Sequence, residues 1–256
     1  MIFSIIRRVL IFLIPFSIVF WYIHDKFEAV LSRASENGLA AFYSADGIIF
    51  GLIVAFVIQR EWEIWTNLSG SVRTEIDTIR EMWKWSTYAE ESLCREAQGH
   101  LTEYLKTMIS EWNNSNQRVR STKVDAEIDG LRGMLVKMSV SMGALGFQLF
   151  SAFGNLINAR NQRLNFSNEH MPVILKRIVF LADILLILLS LFIGVDNIYL
   201  DYIFTAAIAL LAFTLLIVVD DLDNPFRPGT WHLTSKDYQD LLQELTSPSE
   251  NVHVGS

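Results

Sequence analysis

The sequence predicts an all-α polytopic membrane protein with four transmembrane helices and a large helical cytoplasmic region. Apolar residues make up 51% of the 256-residue chain, and its mean hydropathy is +0.30. That is too apolar for a soluble protein with a charged surface. The excess is gathered into four long runs, each near the length a bilayer requires. Between the second and third runs, apolar residues recur at steps of three and four and do not alternate as in a strand.

The first run, residues 9–23, follows Arg7-Arg8. A basic start before an apolar core is also how a signal peptide begins. This run ends instead in Phe20-Trp21-Tyr22, an interfacial aromatic cluster with no small-residue cleavage site after it. With the arginines snorkelling, residues 2–23 are long enough to span, and Pro15 predicts a mild kink. Residues 24–42 are too charged to span and read as a short helix outside the membrane. The second span, about 40–60, climbs through an unbroken apolar run from Ile48 to Ile58 and leaves through Gln59-Arg60-Glu61-Trp62. That charged, aromatic-flanked boundary reads as a membrane helix continuing into water as a soluble one. Ser44, Ile48, Leu52 and Phe56 fall four apart on one of its faces, while Gly51 and Ala55 on an adjacent face would let a second helix come close. A pore-lining helix has this pattern, and so does an ordinary buried membrane helix.

Residues 61–171 contain no membrane-length apolar run. Trp62, Trp65, Leu68, Val72, Ile76, Ile79 and Trp83 predict one amphipathic helix, and Leu101, Leu105, Met108 and Trp112 a second. A loop at Asn113-Asn114-Ser115-Asn116 follows. A third helix starts near Asp125 as N-cap region and runs through Ile128, Leu131, Leu135, Met138, Met142, Leu145, Leu149 and Phe153. Its glycines, Gly143, Gly146 and Gly154, predict close contact or bending. The third and fourth spans, about 173–195 and 199–219, are separated by Asp196-Asn197-Ile198 and form a tight hairpin. The tail contains one weak amphipathic helix with Tyr238, Leu241, Leu242 and Leu245 and is expected to end disordered. The chain is thus read as 1–60 (two spans and an external loop), 61–171 (cytoplasmic helices), 172–220 (hairpin) and 221–256 (acidic turn and tail).

Of 21 Lys and Arg residues, only Lys26 and Arg33 fall in segments placed outside. Positive residues therefore put both termini and the central region in the cytoplasm. A net charge of −7 argues against a nucleic-acid partner. The single Cys94 can form no intramolecular disulfide and reads as a small filler. His24, His100, His170, His232 and His253 stand alone, with no second ligand at helical spacing, so no metal site is expected. No catalytic motif appears, so the chain is not expected to be an enzyme.

Asp183 and Asp46 stand out among the carboxylates within the spans. Asp183 reads either as a structural hydrogen bond between helices or as a group on a hydrated cavity or pore. Asp46 reads either as one member of a ring of carboxylates at a pore mouth or as an N-terminal helix cap. After the fourth span, Asp220, Asp221 and Asp223 either bind a hard cation or cap a turn and pair with bases, Arg160 and Arg163 being candidates.

Two stretches resemble the bestrophin family. Phe50-Gly51 through Arg60, Trp62 and Asn67-Leu68 looks like its second transmembrane helix. Asp223-Asn224-Pro225-Phe226 is similar to its Asn-Pro-Phe turn. With the predicted topology, the chain resembles the bacterial bestrophin-like proteins, many of them known only as a domain of unknown function. The resemblance implies a homopentameric ion channel of the bacterial inner membrane, in contact with membrane lipids and conducting small inorganic ions. Carried over, the neck positions become Ser44, Ile48 and Leu52, with Phe56 below; Asp46 would favour cations. The family's acidic run after Asn-Pro-Phe is replaced here by Arg227-Pro228-Gly229-Thr230, and the lead before the first span is short, so no calcium or other cofactor is expected. The alternative is a non-conducting membrane-anchored structural or signalling module whose cytoplasmic helices bind a partner.

Overall fold

The computed structural model describes residues 2–27, 36–114, 118–192 and 197–247, which form helices and no strand. In order these are α1 (Ile2–Phe27), α2 (Glu36–Ser86), α3 (Glu91–Asn113), α4 (Thr122–Met142), α5 (Ala144–Asn168), α6 (Val173–Phe192), α7 (Ile198–Asp223) and α8 (Lys236–Thr246). The chain divides into two compact units: Met1–Glu63 with His170–His232, and Ile64–Glu169 with Leu233–Ser256. Arg33, Ser115, Asn116, Asp196, His253 and the end of the tail lie outside the described residues.

The first unit holds α1, the first part of α2, α6 and α7. Phe50, Val54 and Val57 of α2 pack with Val179 and Leu186 of α6 and Ala212 and Val219 of α7. Phe16 and Phe20 of α1 pack with Leu191 of α6 and with Ala206 and Ala209 of α7. Ala206, Ala209 and Ala212 step by three along α7, and small side chains on one face allow neighbouring backbones to approach. Helix α1 continues through Pro15.

Among the described residues two helices are long and apolar enough to cross a membrane: Ala40–Ser86 within α2, and α7. Helix α6 packs Lys176, Arg177 and Asp183 into 20 residues. Among the described residues, length and composition therefore single out two of the four predicted spans. The separate short helix predicted for residues 24–42 is not formed by the described residues there: 24–27 extend α1 and 36–42 open α2. As the boundary at Gln59-Arg60-Glu61-Trp62 predicts, α2 does not stop at residue 60 but continues, running 51 residues to Ser86, about 75 Å. Extending a helix adds one hydrogen bond per residue, whereas starting a new one is unfavourable. Residues 59–69 offer neither glycine nor proline to stop it.

In the second unit the predicted stripes are buried: Leu68, Val72, Ile76 and Ile79 on α2; Leu101, Leu105, Met108 and Trp112 on α3; Ile128, Leu131, Leu135 and Met138 on α4. Tyr238, Leu241 and Leu245 are buried on α8. The N-cap of α4 is Ser121, whose hydroxyl accepts the Val124 N–H at 3.4 Å, so Asp125 sits in the first turn rather than at the cap. The helix expected to continue from Asp125 through Phe153 breaks at Gly143, with φ +56 and ψ −123. A Cβ on Gly146 would meet the Ser139 Cα at 2.9 Å, so the start of α5 lies close against α4. Nothing lies within 4 Å of a Cβ built on Gly143, so Gly143→Ala adds backbone strain alone. Its expected cost is about 1–3 kcal/mol, read as a lower thermal midpoint of the full chain in detergent. An unchanged midpoint would show that Gly143 carries no strain requirement.

Candidate functional site

On α2, Ile48, Leu52 and Phe56 are 65%, 68% and 69% exposed within the chain, and Ser44 is exposed with its hydroxyl donating to the Ala40 carbonyl at 2.9 Å. The buried face of the same segment, Phe50, Val54 and Val57, lies roughly half a turn away at 100° per residue. The helix thus spends one face on its own unit and presents an apolar stripe on the other.

Asp46 lies on the side of Phe50 and Val57, half-buried, with one carboxylate oxygen enclosed and without a hydrogen-bond partner. Because α2 begins at Glu36, Asp46 sits in the third turn, and the N-cap reading is overturned. It does not share the face of Ser44, Ile48 and Leu52. Asp183 is 3% exposed and its Oδ1 has no hydrogen-bond partner, so no interhelical hydrogen bond forms at that atom.

The acidic turn is organised by separate partners. Asp223, at the end of α7, accepts the Met171 backbone N–H at 2.8 Å and the Lys176 ammonium at 2.8 Å, and His170 lies 3.7 Å away. Asp220 reaches the same Lys176 at 3.4 Å. Asp221 accepts the Thr230 backbone N–H at 3.2 Å, over Gly229, where a Cβ would press on the Asp221 carboxylate. Asn224 is the C-cap of α7, Pro225 is buried and Phe226 half-buried. Pro225 cannot continue the ladder, so the helix stops there. Among the described residues no three His, Cys, Asp or Glu side chains converge on a point that could hold a metal ion. The three carboxylates join the end of α7 to the start of α6 and close the loop after it. Beyond the loop, Trp231 meets Trp62 edge to face at 6.2 Å.

Lys176 is the cation of the turn that the sequence reading did not offer. Lys176 stands at the start of one hairpin helix and Asp223 at the end of the other, a juxtaposition that hairpin geometry alone could have suggested. The candidates Arg160 and Arg163 are engaged with other carboxylates: Arg160 with Asp125 at 2.7 Å and Arg163 with Glu75 at 2.6 Å. Burial pushes the Asp125 carboxyl up, but hydrogen bonds and charge from Arg120 and Arg160 outweigh it and hold the group below its ordinary 3.8. The folded state therefore gains from these contacts above that value and loses them as pH falls through the lower folded one. Asp125→Asn is expected to flatten the decline in thermal midpoint below about pH 4; an identical acid limb in both proteins would contradict it.

Two histidines read as standing alone have partners. His24 Nε2 lies 2.8 Å from Asp201 in the first turn of α7, with the Phe20 ring stacked on the imidazole at 4.1 Å. Nearby, the Ser17 and Tyr202 hydroxyls meet at 2.7 Å. His100 Nδ1 lies 2.8 Å from Glu127. Each pair joins two different helices, beyond the reach of spacing on one helix.

Long apolar helices packed around a small-residue seam, with a 51-residue helix shared with a second helical unit, define a helical protein built partly for a bilayer. The family model described as Bestrophin-like domain matches residues 10–229, and the chain belongs to the bestrophin-like family. Solved structures agree in fold. A variant of the bacterial bestrophin homologue from Klebsiella pneumoniae superposes with a TM-score of 0.75 at 13% identity, over 96% of this chain and 100% of that one. A second structure of the Klebsiella pneumoniae homologue gives 0.74 at 13% identity, over 95% and 96%. A variant described as a membrane protein gives 0.74 at 13% identity, over 96% and 99%. No curated protein matches the chain.

Proposed function

We propose that this protein is an ion channel of the bacterial inner membrane, in which five copies surround an axial pore lined by α2. In this reading α1, the first part of α2, α6 and α7 are four spans, with both termini and the second unit cytoplasmic. Ser44, Ile48, Leu52 and Phe56 face the axis. The observation that carries it is the apolar stripe itself: Ile48, Leu52 and Phe56 are each about two-thirds exposed, on the side of α2 turned away from its own unit's core. In a ring, that stripe would form a greasy constriction that small inorganic ions cross only when it is wetted. Family membership supports the reading, since bestrophins include ion channels. No enzymatic role and no cofactor is proposed.

The acidic turn has a structural part in this scheme, with Asp220 and Asp223 on Lys176 and Asp221 on the following loop. Asp46, on the inner side of α2, is not assigned to selectivity. The test is stoichiometry with imaging of detergent-solubilised protein. A fivefold ring with α2 at its axis is expected. A monomer or dimer without a continuous pathway would leave only a membrane-anchored module that binds a partner.

A further inference from the structure

We infer that the groove between α6 and α7 is a binding site for one anionic phospholipid of the phosphatidylglycerol type. The inference rests on the reading of these helices as membrane-spanning, with the start of α6 at the cytoplasmic face. The groove encloses about 510 Å³, within the range of small-molecule sites. Phe180, Phe213, Leu216 and Ile217 wall it with apolar surface, and Lys176, Arg177 and Asp220 stand at one end. A greasy channel with charges at one end matches the two halves of a lipid, an acyl chain below and a headgroup at the interface.

Charge selects the headgroup. Lys176 is already held by Asp223 at 2.8 Å and Asp220 at 3.4 Å. Arg177 is exposed, and among the described residues no carboxylate lies within ion-pair distance of it. Its planar fork suits a phosphodiester, which can accept two parallel hydrogen bonds. With Lys176 engaged by two carboxylates, Arg177 is the cation at the groove that a monoanionic lipid would balance. Asp220 keeps half of its side chain exposed, so it can accept hydrogen bonds from glycerol hydroxyls. Basic pockets between helices at the cytoplasmic face are a recurrent setting for anionic lipid headgroups.

The experiment uses the full chain. Membranes are first washed with alkaline carbonate; retention of the protein in the pellet is expected. Detergent-solubilised protein is then given equal amounts of dioleoyl phosphatidylglycerol, phosphatidylethanolamine or phosphatidylcholine, and bound lipid per chain is read by native mass spectrometry. One phosphatidylglycerol per chain is expected to survive, about fivefold more than either zwitterion, and Arg177→Gln should lower it about fivefold. Val173→Trp, which adds bulk at an exposed position lining the groove without changing charge, should also lower retention. Equal retention by Arg177→Gln and the parent would overturn the lipid site and leave the membrane reading standing, as would equal retention of all three lipids. A second copy of the chain seated in the groove would give that same indifference to Arg177. Release of the parent protein by carbonate would overturn the membrane reading and the lipid site with it.

Discussion

Arg163→Met is expected to lower the stability of the folded chain more than any other single change considered. Arg163 and Glu75 are 2% and 0% exposed, and the guanidinium Nε donates to Glu75 Oε2 at 2.6 Å. The other carboxylate oxygen accepts the Tyr104 hydroxyl, also at 2.6 Å. Burial, and then the Glu75 charge, push the Tyr104 hydroxyl well above its usual range, with Arg163 pulling the other way. Tyr104 therefore stays a donor. Burial alone would pull the Arg163 guanidinium down, but Glu75, with Tyr238 and Tyr104, raises it above its ordinary value, so it remains charged. The Tyr238 hydroxyl is buried near the same carboxylate without a hydrogen-bond partner.

Removing the guanidinium leaves Glu75 buried with only a phenol to satisfy it. Breaking such a pair costs about 3–5 kcal/mol, and for a chain of this size that is roughly 6–20 °C in thermal midpoint. Thermal unfolding of the full chain in detergent reads it. The double change Glu75→Leu with Arg163→Met removes both charges and should recover most of the loss. A single variant within about 2 °C of the parent would mean that water reaches Glu75 and that the pair is not dry.

Leu52→Ala is expected to raise single-channel conductance several-fold in planar bilayers. Leu52 is 68% exposed and sits midway along the stripe between Ile48 and Phe56. In a ring of five, its side chains would narrow the path and exclude water, and ions pass such a constriction only when it wets. Alanine widens it and shortens the apolar wall. The substitution touches an exposed position, so folding should be unaffected, and the thermal midpoint serves as the control. An unchanged current from a protein that still conducts would remove Leu52 from the constriction.

Much of this architecture can be read directly from residue order. The long apolar runs of α2, α6 and α7 are visible in the sequence, and the buried faces of α3, α4 and α8 follow the helical period. The short stretches around Phe50-Gly51 and Asn224-Pro225-Phe226 were enough to suggest the family whose model matches residues 10–229. Where helices end was harder to read. The continuity of α2 through residue 60 is the exception, because the change there is in polarity and not in backbone preference. Gly143 was visible as a candidate bend, but its positive φ is a property of the chain reversal it serves.

The partners of charged groups were legible least of all. Lys176 with Asp223, His24 with Asp201, and Arg163 with Glu75 join residues 47, 177 and 88 positions apart. The sequence by itself determined the helical class, the long apolar segments and the family, because these depend on composition and on a period that each helix carries alone. Only the tertiary structure decided which carboxylate meets which base, which face of α2 stays uncovered, and that Asp46 turns inward. Each of those depends on where a second helix lies, and a period along one helix holds no record of its neighbour.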